Sequence, residues 1–418
     1  RLVRLRQTFD GPTVTDVAGE VERELSRLRL GETIRPGQTV AVTAGSRGIA
    51  NVVTILRATV SHLKRLGAVP FLVPAMGSHG GATAEGQVAL LGRYGVTPES
   101  VGCEIRSSME TVIVGTTPLS FPVHFDKHAH AADHVFVVNR VKPHTRFAGD
   151  IESGLHKMLL IGLGKHAGAQ LYHRAIVDHD FDSILRAVAG HVLKACRVAG
   201  GLAVVENARD ETALVAGVRP EEFAEREAAL LRQARAWLPR LPFRECDLLI
   251  VDEIGKDVSG AGLDTNVVGR KYDDKKATDR DDANCKRIFV RGLTAATGGN
   301  ATGIGIAEFT NERTVAAIDR RATAVNCVTG NHPTAAAIPI AFPTDRECVE
   351  AALLTLGLID PPDAKVLHIR NTLRLGELWA SEAYLDAARR LPHVEVLSAP
   401  EPMRFDAAGN LLPAADGH

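Results

Sequence analysis

Apolar runs alternate with segments of helical period over the first part of the chain. The runs 38–45, 68–75 and 134–141 are short and apolar, as expected for strands buried in a sheet. The segments 51–67 and 82–96 between them repeat apolar residues at helical spacing. Strands joined by helices in this way favour right-handed crossovers, and therefore a mainly parallel sheet.

The alternation continues towards the middle of the chain. A helical segment starts near Ser153, and 181–197 is predicted as a further amphipathic helix. The segment 201–218 contains two predicted strands joined by a polar turn. A helix is predicted over 220–242, because this segment opens with proline and acidic residues and stops at a proline.

The pattern restarts after Pro242, which indicates a second domain. The next elements are four predicted strands and one helix, within 245–257, 286–293, 303–309, 364–372 and, for the helix, 382–391. A last strand, 393–400, and the polar tail are expected to return to the first domain.

The length of 418 residues agrees with two domains of roughly 150–250 residues each. The predicted boundary near Arg244 gives an N-terminal domain of 1–243 with the tail 393–418, and a C-terminal domain of 244–392. The predicted fold class is therefore two α/β domains with mainly parallel sheets and an interdomain active-site cleft.

The composition changes this picture little, but it excludes several classes of partner. A formal net charge of −1 gives no overall attraction to nucleic acid or anionic lipid. The sequence has no run of 18 apolar residues, so no membrane span is predicted. The first residues lack the apolar core of a signal peptide. The six cysteines are scattered without a CxxC pair, which argues against a zinc ribbon or iron–sulfur cluster and fits a reducing cytoplasm.

Three candidate residues each follow a predicted strand. Arg47 follows the first, His79 the second and His144 the third, in glycine- or proline-containing loops. Open parallel sheets bind ligands beyond the carboxyl ends of their strands, so these side chains are expected on one edge. Loops are polar in any case, so an ordinary surface role is the competing interpretation.

These residue types together favour one kind of chemistry. Two histidines can give or take protons near neutral pH, because the unperturbed pKa of imidazole is about 6.5. An arginine can bind both oxygens of a carboxylate with its planar guanidinium. The set of Arg47, His79 and His144 therefore suggests a small hydroxy or keto acid as substrate.

The stretch from Leu155 to His173 mixes an apolar block with lysines and histidines. On a helix, Lys157 would lie among apolar side chains. Its amine would either extend to solvent or be desolvated into a nucleophile. His173 lies sixteen residues later and could be a structural histidine or a ligand.

The C-terminal domain offers a glycine-rich loop, 252–270, that also follows a predicted strand. Lys256 in this loop could contact an anion, or the loop could be an ordinary charged surface segment. The mixed-charge segment 269–286 is predicted to be an exposed loop. The glycines of 291–305 match neither a P-loop nor a dinucleotide-binding motif.

Together, these motifs resemble those of the nickel-dependent lactate racemase (LarA-like) family, of which this chain would be a divergent member. The resemblance is carried by SRG with Arg47, GSHGG with His79, and KPHTRFAGDIESGLHKM with His144 and Lys157. His173, sixteen residues after Lys157, completes the order Arg, His, His, Lys, His.

The resemblance implies a nickel-pincer nucleotide, derived from a pyridinium mononucleotide and tethered to Lys157 through a thioamide. It implies that His173 is the protein ligand to nickel, and that His79 and His144 are the acid–base pair. In such a site the hydride of C2 of a 2-hydroxy acid moves to the cofactor, and a 2-keto acid forms before hydride returns to either face. The cofactor's sulfur and carbon atoms would supply the other nickel ligands, so the cysteines need not form a metal motif.

The resemblance also implies a substrate contact for Arg47, for Lys256, which could instead contact the cofactor phosphate, and for Trp379. Ala44 stands where the family commonly has an aspartate, and IGKDVSGAGLDTNVVGR in the C-terminal domain resembles a divergent branch of the superfamily rather than lactate racemase itself. Another 2-hydroxy acid or an aldonate-like acid is therefore as open as lactate. The expected partners are this small acid and the proteins that make the cofactor. The competing functions are a metal-dependent lyase or hydrolase on the same histidines, and a non-catalytic protein that binds the pincer cofactor.

Overall fold

A computed structural model describes residues 1–46, 48–176 and 178–414. The chain divides into two compact units. The N-terminal unit contains residues 11–238, and the C-terminal unit contains residues 1–10 together with 239–418.

The strands of the described residues are spread over both units. In chain order they are β1 (Leu2–Gln7), β2 (Thr39–Ala44), β3 (Val69–Pro74), β4 (Thr111–Thr116), β5 (Pro122–Asp126), β6 (His134–Arg140), β7 (Val198–Glu206), β8 (Thr212–Val218), β9 (Glu245–Val251), β10 (Asn284–Val290), β11 (Phe309–Asn311), β12 (Ile340–Phe342), β13 (Val366–Ile369), β14 (Glu377–Ser381) and β15 (Val394–Val396).

Several helices begin where a side chain caps the first turn. Asp16, Thr83 and Asp180 each accept a hydrogen bond from a backbone N–H of the helix that follows. No helix of the described residues is long and apolar enough to cross a membrane. In chain order the helices are α1 (Val17–Leu28), α2 (Val52–Arg65), α3 (Ala84–Arg93), α4 (Pro98–Val101), α5 (Lys127–Ala131), α6 (Leu155–Lys157), α7 (Lys165–Ala175), α8 (Phe181–Ala195), α9 (Phe223–Ala236), α10 (Thr265–Val268), α11 (Glu312–Ala316), α12 (Arg320–Thr329), α13 (Asp345–Leu354) and α14 (Leu385–Ala388).

The N-terminal unit is built on a five-stranded sheet in the order β3-β2-β6-β7-β8. All neighbours are parallel except β8, which returns antiparallel to β7. Apolar clusters cover both faces of this sheet: Val40 and Val42 of β2 belong to one cluster, and Ala41 to the other. Burial on both faces explains why these strands are continuously apolar in sequence.

The C-terminal unit is built on an eight-stranded sheet in the order β12-β11-β10-β9-β13-β14-β1-β15. The strands from β12 to β13 run parallel, and β14, β1 and β15 pair antiparallel. The predicted class of two α/β domains with mainly parallel sheets is therefore confirmed.

The C-terminal tail does not return to the N-terminal domain, contrary to the sequence-based expectation. Val394–Val396 pairs with β1, and β1 pairs with β14 of the C-terminal unit. The first ten residues, expected in the N-terminal domain, therefore also lie in the C-terminal unit. The pattern of a single strand could not show which sheet it joins, because edge partners are chosen by register and not by composition.

Two further expectations for the C-terminal domain were wrong. The segment 303–309 is not a strand, because Ile304–Ile306 form a 3₁₀ turn before β11. Gly305 in this turn packs closely, and a Cβ there would meet the Thr334 carbonyl at 2.0 Å. The segment 269–286 is not wholly exposed, because Arg270 is buried and forms a 2.8 Å ion pair with Glu308.

The continuous helix expected from Ser153 is interrupted. After α6, Met158–Gly162 form a π-helical turn, in which the Leu163 N–H donates to the Met158 carbonyl at 2.8 Å. Lys165 then adopts a φ of 54°, which redirects the chain into α7. Such π-helical turns occur frequently at functional sites.

Asp345 holds the carboxyl ends of β10 and β11 together with the tail. This buried carboxylate accepts hydrogen bonds from Arg291 at 2.9 Å and from Arg313 at 2.7 Å. It also accepts one from Asn311 at 2.9 Å, and one from the N–H of Leu411 at 3.0 Å. Burial acts to raise the pKa of Asp345, but the two arginines outweigh it and hold the pKa below its usual value.

Replacement of Asp345 by Ala is expected to destabilise the C-terminal unit by about 3 kcal/mol, because it leaves buried cationic groups without their carboxylate. The measurement is urea unfolding in a Trp237→Phe background, in which Trp379 is the remaining one of two tryptophans. Asp386→Ala is the control, since Asp386 forms only an exposed 4.0 Å pair with Arg389 and should leave the transition unchanged. Equal midpoints for the two variants would contradict this role.

Candidate active site

Loops that follow three adjacent strands form one edge of the N-terminal sheet. The strands β3, β2 and β6 are neighbours and parallel, so their carboxyl ends lie side by side. The loop after β3 carries His79, and the loop after β6 carries His144. Arg47, predicted in the loop after β2, lies outside the described residues. The predicted common edge is thus present for the loops of both histidines.

His79 lies exposed at the start of a short 3₁₀ turn. Its Nδ1 lies 2.6 Å from the hydroxyl of Ser46, which belongs to the loop after β2. The Tyr94 hydroxyl in turn donates to the Ser46 carbonyl at 3.0 Å. A serine hydroxyl can donate or accept, so His79 can carry its proton on either ring nitrogen.

His144 is half-buried and held from several sides. Its backbone N–H donates to Glu152 at 2.7 Å, and its Nδ1 accepts from the Arg146 N–H at 3.1 Å. The imidazole stacks on Phe147 with ring centroids 4.5 Å apart, and Phe147 stacks on Phe181 at 4.1 Å. These contacts fix the plane of the imidazole.

Glu152 anchors the loop that carries His144. The carboxylate is buried, and it also accepts from the Gly149 N–H at 3.2 Å and from Arg235 of α9 at 2.6 Å. A buried carboxylate requires such partners, because charge without hydrogen bonds is costly in a dry interior. The loop after β6 is therefore tied to α9.

Lys157 lies half-buried at the end of α6, which a second buried carboxylate holds in place. Glu227 accepts from the His156 N–H at 3.1 Å and lies 2.9 Å from the His156 Nδ1. The Asn139 amide donates to the Gly154 carbonyl at 2.8 Å, just before the helix. His156 therefore orients the turn that presents Lys157.

The π-helical turn lies under the loops of the edge. A Cβ at Gly45 would meet the Met158 methyl at 3.2 Å, and one at Gly77 would meet Ile161 at 2.9 Å. Gly77, which has a φ of 58°, donates its N–H to the Gly162 carbonyl at 3.3 Å. Glycine is needed at this position for both its conformation and its close approach.

His173 lies on α7 with a buried Nδ1 that has no hydrogen-bond partner among the described residues. Burial, with a contribution from the positive charges of Lys157 and Arg146, lowers the pKa of His173 to about 4. His173 is therefore neutral near pH 7, and both cations are near enough to act on it. The structure thus brings Lys157, His173 and the loop of His144 together.

The described residues contain no group of three or more His, Cys, Asp or Glu side chains that could hold a metal ion. Lys256 and Trp379, both predicted substrate contacts, belong to the C-terminal unit. Lys256 follows β9 and donates from Nζ to the Gly260 carbonyl at 2.8 Å. Trp379 is half-buried in β14, opposite Arg4 and His368 in the register. Their roles stay predictions.

Sequence reasoning missed the buried polar residues that support the edge. Lys165, Gln87 and Asp126 are wholly buried. Burial lowers the pKa of Lys165 and raises the pKa of Asp126, each partly offset by the charge of the other. A signal existed for Gln87, which lies four residues before Leu91 on the buried face of α3.

Comparison with known proteins agrees with the fold. The lactate racemase N-terminal domain family matches residues 11–183, and no curated protein sequence matches the chain. The lactate racemase apoprotein of Thermoanaerobacterium thermosaccharolyticum has a similar fold, with a TM-score of 0.53 and 14% identity over 88% of this chain and 94% of that one. A Thermotoga maritima protein aligns with a TM-score of 0.49 and 13% identity over 79% of this chain and 83% of that one. Residues 11–183 are thus similar to the lactate racemase N-terminal domain family, and the fold of the chain is similar to that of a lactate racemase.

Proposed function

We propose that this protein is a racemase or epimerase of a 2-hydroxy acid that depends on a nickel-pincer nucleotide. The observation that carries the proposal is the buried, unpartnered Nδ1 of His173 close to Lys157. Both lie next to the sheet edge whose loops carry two histidines suited to proton transfer, His79 and His144. The family match of residues 11–183 supports the same class of reaction.

The residues present fit such a cofactor. Lys157 offers an amine for the tether, and a neutral His173 offers an imidazole nitrogen, which suits nickel(II). Because the described residues form no cluster of three or more metal ligands, a metal at His173 would take its other ligands from the bound nucleotide. When bound, this cofactor would accept a hydride from C2 of the substrate and return it.

The chain itself supplies proton transfer. One histidine removes the proton of the substrate hydroxyl, and the other returns a proton to the oxygen from the opposite side. The Ser46 hydroxyl lets His79 change the nitrogen that carries its proton. The stack on Phe147 holds His144 in one plane while it acts.

Three further residues would bind the substrate or the cofactor. Arg47 is proposed to bind the substrate carboxylate with its planar guanidinium, and Lys256 to contact the substrate or the cofactor phosphate. Trp379 is proposed to line the pocket. The substrate class includes lactate, other 2-hydroxy acids and aldonate-like acids, and the expected protein partners are those that make the cofactor.

Co-expression with cofactor-making proteins is expected to give about one nickel per chain and a mass increment on the peptide that contains Lys157, since that amine lies beside the nickel ligand. The measurements are metal analysis and peptide mass spectrometry. Lys157→Arg should lose the increment, whereas Lys194→Arg, on the exposed surface of α8, should keep it. The absence of both bound nickel and an adduct in the parent protein would rule out the tethered cofactor.

Replacement of His79 or His144 by Ala is expected to lower racemisation by about 10²–10⁴-fold, the usual contribution of a general acid or base. The nickel content should be unchanged in both variants. Chiral chromatography of a panel of 2-hydroxy acids provides the measurement, and His130→Ala, an exposed histidine at the end of α5, is the control.

The competing functions predict different results from the same samples. A metal-dependent lyase or hydrolase would stay active without the nucleotide. A cofactor-binding protein without catalytic activity would bind the nickel nucleotide but racemise none of the acids. Full racemase activity in both histidine variants would show that the acid–base assignment is wrong.

A further inference from the structure

A row of three buried polar side chains connects the loop of His79 to α7. Asp126 ends β5, Lys165 begins α7, and Gln87 lies on α3. All three residues are fully buried. Charged and amide groups are rarely so completely buried, because their desolvation must be offset by hydrogen bonds inside the protein.

Lys165 is the centre of the row. Its Nζ donates to the Gln87 side-chain oxygen at 2.7 Å and to the carbonyl of Pro74, the last residue of β3, also at 2.7 Å. The same atom lies 3.5 Å from the carboxylate of Asp126. Lys165 therefore connects the end of β3 to the start of α7, the helix that carries His173.

Gln87 in turn forms hydrogen bonds with the loop of His79. Its amide nitrogen donates to the Gly77 carbonyl at 3.0 Å and to the His79 carbonyl at 3.3 Å. Gly80 packs against the same place, since a Cβ there would lie 2.6 Å from the Gln87 backbone nitrogen. Both ends of the turn that presents His79 are thus held by one side chain.

We propose that Gln87 and Lys165 are positioning residues that hold His79 at the sheet edge and fix its place relative to α7. An apolar trio of similar volume would fill the same space without desolvation cost. The hydrogen bonds end instead on carbonyls of the His79 loop and of the strand before it. The catalytic part of this inference depends on the proposed role of His79; the structural part does not.

Gln87→Glu tests the role with little change of shape. The variant keeps an oxygen acceptor for Lys165, but it replaces the amide donor to Gly77 and His79 by an oxygen that faces their carbonyls. Gln7→Glu is a matched control in the C-terminal unit. Gln7 is also a buried amide, and it donates to the carbonyls of Arg240 and Leu375.

The first measurement is amide hydrogen exchange of the apoprotein, followed by mass spectrometry. Gln87→Glu is expected to speed exchange in peptides covering 75–83 by about tenfold or more, because the loop loses the bonds that close it. Gln7→Glu should leave these peptides unchanged and affect only those near 240 and 375. Unchanged exchange over 75–83 in Gln87→Glu, or an equal increase in both variants, would overturn the proposal.

The second measurement is racemisation by the cofactor-loaded protein. Gln87→Glu should lower kcat by about tenfold with little change in KM, because a displaced base harms proton transfer more than substrate binding. Added to His79→Ala it should cause no further loss, since both changes act through one residue. Additive losses in this double-mutant cycle would show that Gln87 does not act through His79.

The two measurements separate the possible failures. Faster exchange over 75–83 without any racemase activity in the parent protein would refute the proposed function and leave the loop-positioning role standing. Racemase activity in the parent protein with unchanged exchange in Gln87→Glu would refute the positioning role and leave the proposed function standing.

Discussion

The site depends on one constraint: polar groups buried beside the apolar stretch 155–173 need hydrogen-bond partners inside the protein. Glu227 accepts from the backbone N–H of His156 in α6, Glu152 accepts from that of His144, and Gln87 donates to the carbonyls of Gly77 and His79. Each of these bonds ends on backbone that carries or adjoins a proposed functional side chain. Desolvation therefore makes the edge rigid, because a loop that moved would leave a buried charge or amide without its partner.

His173 does not follow this rule, and it lies close to Lys157. Its Nδ1 is buried and has no partner among the described residues, as is also true of His166 Nδ1 and the Tyr172 hydroxyl in the same stretch. Glu152, in contrast, accepts several hydrogen bonds. An unpartnered polar atom in such a site calls for an explanation, and a bound ligand is the one favoured here. The same surroundings that fix the neighbouring loops keep this nitrogen neutral and able to bind.

Much of the fold could be predicted from periodicity, because strands buried on both faces are continuously apolar and the helices have one apolar side. The strands β2, β3 and β6 and the common edge of their loops followed from this pattern. The break of the helix after Lys157 could not be predicted, since Met158–Gly162 has an ordinary helical composition. The role of Lys165 was missed because its partners Gln87 and Asp126 are distant in sequence, and only the folded chain brings them together.

The placement of β1 bears on how the chain is made. Leu2 faces Ser381 and Leu5 faces Val396, so an early strand lies between two that are synthesised hundreds of residues later. On the ribosome, residues 11–238 can therefore complete their own sheet while the segment before them stays unpaired. That segment contains Val3 and Leu5 of the second core, and their side chains stay exposed until the partner strands have been synthesised.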